Sequence, residues 1–283
     1  MTAAQALFMG LLQGATELFP VSSLGHAVIV PSVFHWSFKQ SDPSFLPFLV
    51  LLHLGTATAL LILYWRQWLR IVTGFVRAAL RGRIQGEDER LAMLLVVGTL
   101  PAGLAGLFFQ SYFKALFANP RAAAAFLIVN GLILLGAEVL RRRAERRQAS
   151  RTEQEAAFRP AEALSFKAAL LVGACQVGAL FPGISRSGAT MAGGLLAGLR
   201  HQEAARFSFL LATPVIAAAG LLEVPELFKP GIPLGLYAAA AVLSGAAAYG
   251  SARFLIRWFR VGRLDPYGVY CLLAGSAGLA LLR

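Results

Sequence analysis

The sequence predicts an all-α integral membrane protein with six transmembrane helices and two re-entrant helical hairpins, arranged as an inverted-topology repeat. Three observations predict it. The 283 residues are 57% hydrophobic and only 14% charged, far below the charge of about 25% in an average soluble domain. Lys and Arg gather at the ends of apolar stretches, the pattern that orients a chain in a bilayer. Two polar, glycine-broken segments, Gln13 to His26 and Gln176 to Thr190, also resemble each other. With one gap after the proline, Leu-Phe-Pro, the next aliphatic, a serine and a glycine coincide, which suggests a duplicated unit.

Crossing a ~30 Å hydrocarbon core takes about 17–25 apolar helical residues. Six stretches reach or approach that length: 48–65, 91–109, 122–140, 205–222, 234–256 and 267–282, the last short and Gly-rich. Residues 66–90, 141–167, 200–206 and 253–263 carry six, eight, two and four Lys or Arg, so these loops are predicted cytoplasmic. The intervening loops hold Lys39, Lys114, Arg121 and Lys229, and Arg283 ends the chain. They are predicted outside, with both termini. The start of the chain lacks the basic region of a secretory signal and is interrupted by Gln13 and Glu17, so it is expected to stay in the fold. A formal charge of +12 points to nucleic acid only when it lies on one soluble face; spread over loop ends, it predicts no nucleic-acid partner.

Loop charge then places the polar segments. The stretch 48–65 crosses inward, 91–109 outward and 122–140 inward again, so 168–199 must start and finish on the cytoplasmic side as a re-entrant hairpin. By the same logic residues 1–30 enter from outside. The expected units are a first repeat over 1–143, a cytoplasmic linker over 144–165 and a second repeat over 166–283. Each repeat is one hairpin plus three spans, inserted in opposite senses. Inverted repeats with broken helices place their site near the midplane, where the hairpin tips meet.

An ionisable residue inside membrane-spanning sequence is costly and is read as functional by default. Pro182 and Gly183 stop one half-helix, and Ser185, Arg186 and Ser187 begin the next, with Thr190 following. Amide groups at a helix start, with hydroxyls and a guanidinium beside them, suit an anion such as a phosphate. No acid lies near Arg186 in sequence, so its partner is Glu17 of the other hairpin or a bound anion. Gln13 and Glu17, four apart, share a helix face that can hold a hard cation or position a water. Ser22, Ser23 and His26 follow Pro20; a hydroxyl with a base nearby is how nucleophiles are activated, and serines there also serve as helix caps. His53 and Asn130 read as helix–helix hydrogen bonders, Glu138 as a local partner of Arg141, and Gln176 as the counterpart of Gln13. Cys175 and Cys271 read as buried free thiols.

On these residues the chain resembles the undecaprenyl-pyrophosphate phosphatase family, the membrane phosphatases linked to bacitracin resistance. Gln13-Gly14-Ala15-Thr16-Glu17, continued by Pro20 to His26, matches the glutamate-rich motif. Pro182 to Thr190 matches the Pro-Gly-x-Ser-Arg-Ser-x-x-Thr motif. The resemblance implies hydrolysis of a C55 isoprenyl pyrophosphate to the monophosphate and phosphate, recycling the lipid carrier of peptidoglycan synthesis in the bacterial inner membrane. It also implies a site open toward the outer face and dependence on Mg2+ or Ca2+. Carried over by position, Glu17, Ser23, His26 and Arg186 are catalytic. Ser22, Gly183, Ser185, Arg186, Ser187 and Thr190 hold the pyrophosphate, and Glu17 with Gln13 holds the metal. Gln13 stands where many members have Glu, which removes one anionic ligand. Either Ser23 or a water attacks the terminal phosphorus. A lipid-phosphate transporter is the rival reading, since inverted repeats with broken helices are also transporter architecture. Membrane lipids are expected partners, and a homodimer is left open.

Overall fold

The structure is a computed structural model and describes residues 1–36, 42, 44–109, 112, 116, 119–149, 160–228 and 232–282. Lys39, Lys114, Lys229 and Arg283, four of the predicted outer cations, lie outside the described residues, as does 150–159 of the linker. All regular structure among the described residues is helical. Its α-helices are α1 (Ala3–Glu17), α2 (Ser23–Val33), α3 (Phe45–Leu63), α4 (Trp65–Arg81), α5 (Glu87–Phe108), α6 (Pro120–Ala149), α7 (Phe166–Val177), α8 (Arg186–Leu196), α9 (His201–Glu223), α10 (Leu234–Trp258) and α11 (Asp265–Leu281).

Four of them, α3, α5, α6 over Pro120–Arg146 and α10, are long and apolar enough to cross a membrane. The two other predicted spans are α9, with 23 residues, and α11, with 17. The hairpin arms are shorter: 15 and 11 residues for α1 and α2, 12 and 11 for α7 and α8. At 1.5 Å per residue none exceeds about 23 Å, so no single arm crosses a ~30 Å core.

Each hairpin breaks where its sequence cannot continue a helix. Thr2 and Gln5 form a reciprocal capping box that starts α1. After Pro20, Ser22 adopts a left-handed conformation with φ 66° and caps α2 by accepting the Gly25 N–H. After Pro182, Gly183 sits at φ 109°, and Ser185 caps α8 by accepting the Gly188 N–H. Hydroxyl caps satisfy amides that the first helical turn leaves unpaired. At Gly183 a Cβ would also run into the Ala123 carbonyl of α6, so both conformation and contact demand glycine.

Small residues let the arms dock. A Cβ on Gly14 would overlap the Ser244 carbonyl of α10, and one on Gly173 would overlap the Gly98 carbonyl of α5. Between apolar helices in lipid, such close backbone approach supplies the packing that hydrophobic burial cannot. Thus α1 lies along α10 and α7 along α5, while α3 packs on α9 and α6 on α11.

Three expectations change. Residues 65–81, expected within a basic loop, form helix α4. Helix α6 runs beyond residue 143 into the stretch expected as linker, helped by the Arg141–Glu145 pair one turn apart. The linker's last residues are pinned: Arg90 donates to the carbonyls of Glu162 and Leu164, and Arg206 pairs with Glu162 at 2.6 Å. Glu138 is also not the partner of Arg141. Its Oε1 accepts from His201 Nε2 at 2.5 Å and from the Leu264 N–H, joining α6, α9 and α11, while Arg141 Nη1 reaches the other nitrogen of the same imidazole, His201 Nδ1, at 2.8 Å.

Candidate active site

The two hairpin tips touch. Ser187 Oγ donates to the Phe19 carbonyl at 3.0 Å, Ser22 Oγ donates to the Ile184 carbonyl at 3.3 Å, and Gly25 lies against Gly183. Asn130 of α6 staples them: its Nδ2 donates to the Pro20 carbonyl and its Oδ1 accepts the Ser185 N–H, at 2.9 and 3.0 Å. It also bonds helix to helix as expected, Nδ2 lying 3.3 Å from Cys271 Sγ of α11, and its bonds to the tips pair backbone groups that helices would have satisfied internally.

At the centre sits Glu17, 7% exposed. Its Oε2 accepts from Ser23 Oγ at 2.5 Å and from Gln13 Nε2 at 2.9 Å, and His53 Nε2 lies 3.3 Å away. Its Oε1 accepts from Arg186 Nη2 at 3.1 Å, while Arg186 Nη1 donates to the Ser208 carbonyl of α9. A carboxylate sharing a short bond with a serine hydroxyl is placed to take that hydroxyl's proton. The guanidinium beside it keeps further N–H groups for an anion.

These groups face a cavity of about 220 Å³. Glu17, Ser22, Ser23, His53, Ser185 and Arg186 form its polar floor. Its walls are apolar: Leu46, Leu49 and Val50 of α3, Val215, Ile216 and Ala219 of α9, with Leu180 and Ile184 beside the second tip. A few convergent polar groups in an apolar cleft are the usual form of a ligand site.

Not every predicted site residue reaches the cavity. His26 turns away: Nδ1 donates to the Ser22 carbonyl and Nε2 accepts from the Tyr270 hydroxyl, both at 2.7 Å, so it does not contact Ser23. On α2 the three-residue spacing from Ser23 places His26 toward α11 instead. Gly183, Ser187 and Thr190 build the second tip without lining the cavity; Thr190 Oγ1 bonds the Arg186 carbonyl and Ser208 Oγ. Conversely, His53, expected as a helix–helix bonder, is on the floor, held by donation from Nδ1 to the Leu49 carbonyl at 2.7 Å. The rule that singles out ionisable residues within spans is the signal that points to it.

For a divalent cation the oxygen donors are the Glu17 carboxylate and Gln13 Oε1, which is buried without a hydrogen-bond partner. Among the described residues no three His, Cys, Asp or Glu side chains group to hold a metal ion. Ca2+ and Mg2+ take six or more oxygens, and Glu17 is already opposed by Arg186 and faced by His53. This donor set does not fit a cation held by the protein alone.

Fold and floor together define a multi-pass membrane protein with a carboxylate–serine–guanidinium site buried between two hairpin tips. The chain belongs to the BacA family: the model of "Bacitracin resistance protein BacA" matches residues 6–277. It is 46% identical to an undecaprenyl-diphosphatase of Mycolicibacterium paratuberculosis, covering 98% of this chain and 96% of that protein. It is also 46% identical to undecaprenyl-diphosphatase 2 of Chromobacterium violaceum, covering 99% and 98%. With undecaprenyl-diphosphatase 2 of Burkholderia thailandensis the identity is 48%, over 95% and 93%.

Proposed function

We propose that this protein is an undecaprenyl-diphosphatase, hydrolysing undecaprenyl pyrophosphate to undecaprenyl phosphate and inorganic phosphate. The observation that carries the reading is the 2.5 Å bond from Ser23 to Glu17 beside Arg186, in a cavity walled by aliphatic side chains. Phosphoryl transfer asks a protein mainly for positioning and charge neutralisation. Arg186 grips the pyrophosphate, with Ser22 and Ser185 on the same floor and Gly183, Ser187 and Thr190 shaping the tip that presents it. Ser23 Oγ attacks the terminal phosphorus, passing its proton to Glu17. An Oγ–P bond forms, the bridging P–O bond breaks, and the isoprenyl monophosphate leaves. Water then hydrolyses the phosphoserine and releases phosphate. His26 acts indirectly, holding the Ser22 carbonyl and so the turn that carries Ser23. Because the protein's own donors do not suffice, a Mg2+ or Ca2+ ion would have to enter with the substrate, where it would neutralise phosphate charge.

The isoprenyl tail runs between α3 and α9. The wall residues come from the first half of α3 and the last half of α9, the ends that loop charge places outside, so the site opens outward. From Leu46 to His53 the floor lies about 10 Å along α3, deep in the hydrocarbon region. The matched docking of α1 on α10 and α7 on α5 supports two halves related as an inverted repeat. Phosphate release from C55 pyrophosphate by purified protein tests the reading. Wild type turns over, and Ser23→Ala falls by at least about a hundredfold, the scale of losing an activated nucleophile's assistance. A Ser23→Ala protein with normal turnover removes the serine step, and wild type that moves lipid between leaflets without releasing phosphate makes it a transporter.

A further inference from the structure

Helix α4 carries three distinct faces. Gln67, Ile71, Gly74 and Ala78 are buried against the protein. Trp65, Leu69, Val72, Val76 and Leu80 are all exposed and, at spacings of four, three, four and four, form one continuous apolar stripe. Between the two runs a flank of Arg66, Arg70, Arg77 and Arg81.

Its contacts set its direction. A span returning as α5 after the short turn at 82–86 would bring Gly74 level with about Leu94, two turns into α5. Instead, a Cβ on Gly74 would meet the backbone of Asp88 and Glu89, in the first turn of α5. Arg70 pairs with Asp88 at 3.5 Å and Arg81 with Glu89 at 3.6 Å, fixing α4 across that same end. Helix α4 therefore crosses the tip of α5 and does not run beside it. Among the described residues neither Arg66 nor Arg77 is within ion-pair distance of these acids: Arg66 lies over the Trp65 ring, and Arg77, which lines an open cavity together with Asp88 and Glu89, donates back to Thr73.

We propose that α4 lies in the plane of the membrane, on the side of the basic loops, as a docking surface for anionic phospholipid. Its apolar stripe sits among the acyl chains, and Arg66 and Arg77 bind headgroup phosphates. A helix with apolar and basic faces is the form that rests in a bilayer interface, and its 17 residues cover about 25 Å of it. The complementarity is specific in sign: the arginine flank suits an anionic leaflet, and the stripe beside it suits lipid rather than water.

Two measurements on the full-length protein in nanodiscs of phosphatidylglycerol and phosphatidylcholine test this. First, spin labels at Leu69→Cys and Leu80→Cys, each in a Cys175→Ala background, report depth. The in-plane helix predicts equal, shallow depths for both, accessible to lipid. A spanning helix predicts a difference of about 16 Å, and a surface covered by a protein partner or open to water predicts no lipid access; either result overturns the proposal. Second, lipid retained through detergent extraction is quantified. The preference for phosphatidylglycerol should fall about fivefold for each arginine removed in Arg66→Gln and Arg77→Gln. An unchanged preference in the double variant overturns the headgroup assignment, and phosphate release in the same samples shows that the variants are folded.

Discussion

Replacing Glu17 by Gln keeps the shape of the side chain and removes its charge, so it separates the two tasks assigned to this residue. As acceptor of the Ser23 hydroxyl, Glu17 is the proposed base of the first step, and a positioned base contributes roughly 10²–10⁴ in rate. As partner of Arg186 it balances a guanidinium whose side chain is only 13% exposed. Removing one member of a buried pair costs about 3–5 kcal/mol. The low end applies here, since Arg186 keeps the Ser208 carbonyl and can still donate to the new amide oxygen. Substrate supplies the missing anion. Turnover of Glu17→Gln should therefore fall by about 10²–10⁴ while substrate binding is kept. A non-hydrolysable isoprenyl pyrophosphate analogue should stabilise the variant against heat more than it stabilises wild type. Steady-state phosphate release and thermal unfolding with and without the analogue measure both. Normal turnover refutes the base assignment, and a variant that the analogue stabilises no better than wild type refutes the idea that Glu17 and pyrophosphate share Arg186.

Two further substitutions probe the surroundings. Asn130→Ala leaves the Pro20 carbonyl and the Ser185 N–H unpaired in a buried site, at about 1–3 kcal/mol each. It should lower the unfolding temperature and reduce turnover together, and unchanged activity would mean that the staple does not position the tips. Gln13→Glu sets a second carboxylate against Glu17, where the amide now lies at 2.9 Å. Two like charges so close need a cation or a proton between them. The Mg2+ or Ca2+ concentration for half-maximal activity should fall below that of wild type, and an unchanged titration would show that position 13 does not reach the cation.

Much of this site is legible in the sequence. Glu17 and Arg186 stand out because charge is costly in apolar sequence; with no acid near Arg186 in sequence, its partner is narrowed to Glu17 or a bound anion, and the structure shows the Glu17 pair. The breaks at Pro20 and Pro182 locate the tips. His26 and His53 exchange the places that spacing suggests for them. Spacing along a helix tells which residues share a face but not what that face meets, so a separation of three from Ser23 does not establish a contact with Ser23. His53 is an ionisable residue within a span and so a candidate on that ground, but only the packing of α3 against the first hairpin brings it to Glu17. Over residues 65–81 the density of arginine suggests a loop, while the alternation of arginine and apolar stripes at helical spacing is the signal of the helix that forms.

The sequence by itself determined that the chain belongs in a membrane, where its helices break, and which residue types carry chemistry. These are local properties, set by hydropathy, by proline and glycine backbone limits, and by the cost of buried charge. Only the tertiary structure decided which side chains share the cavity. Glu17 meets Ser23, Arg186 and His53 because three separate elements converge, each docked through close backbone contacts at small residues. That convergence depends on helix rotation and crossing, which one-dimensional periodicity does not encode.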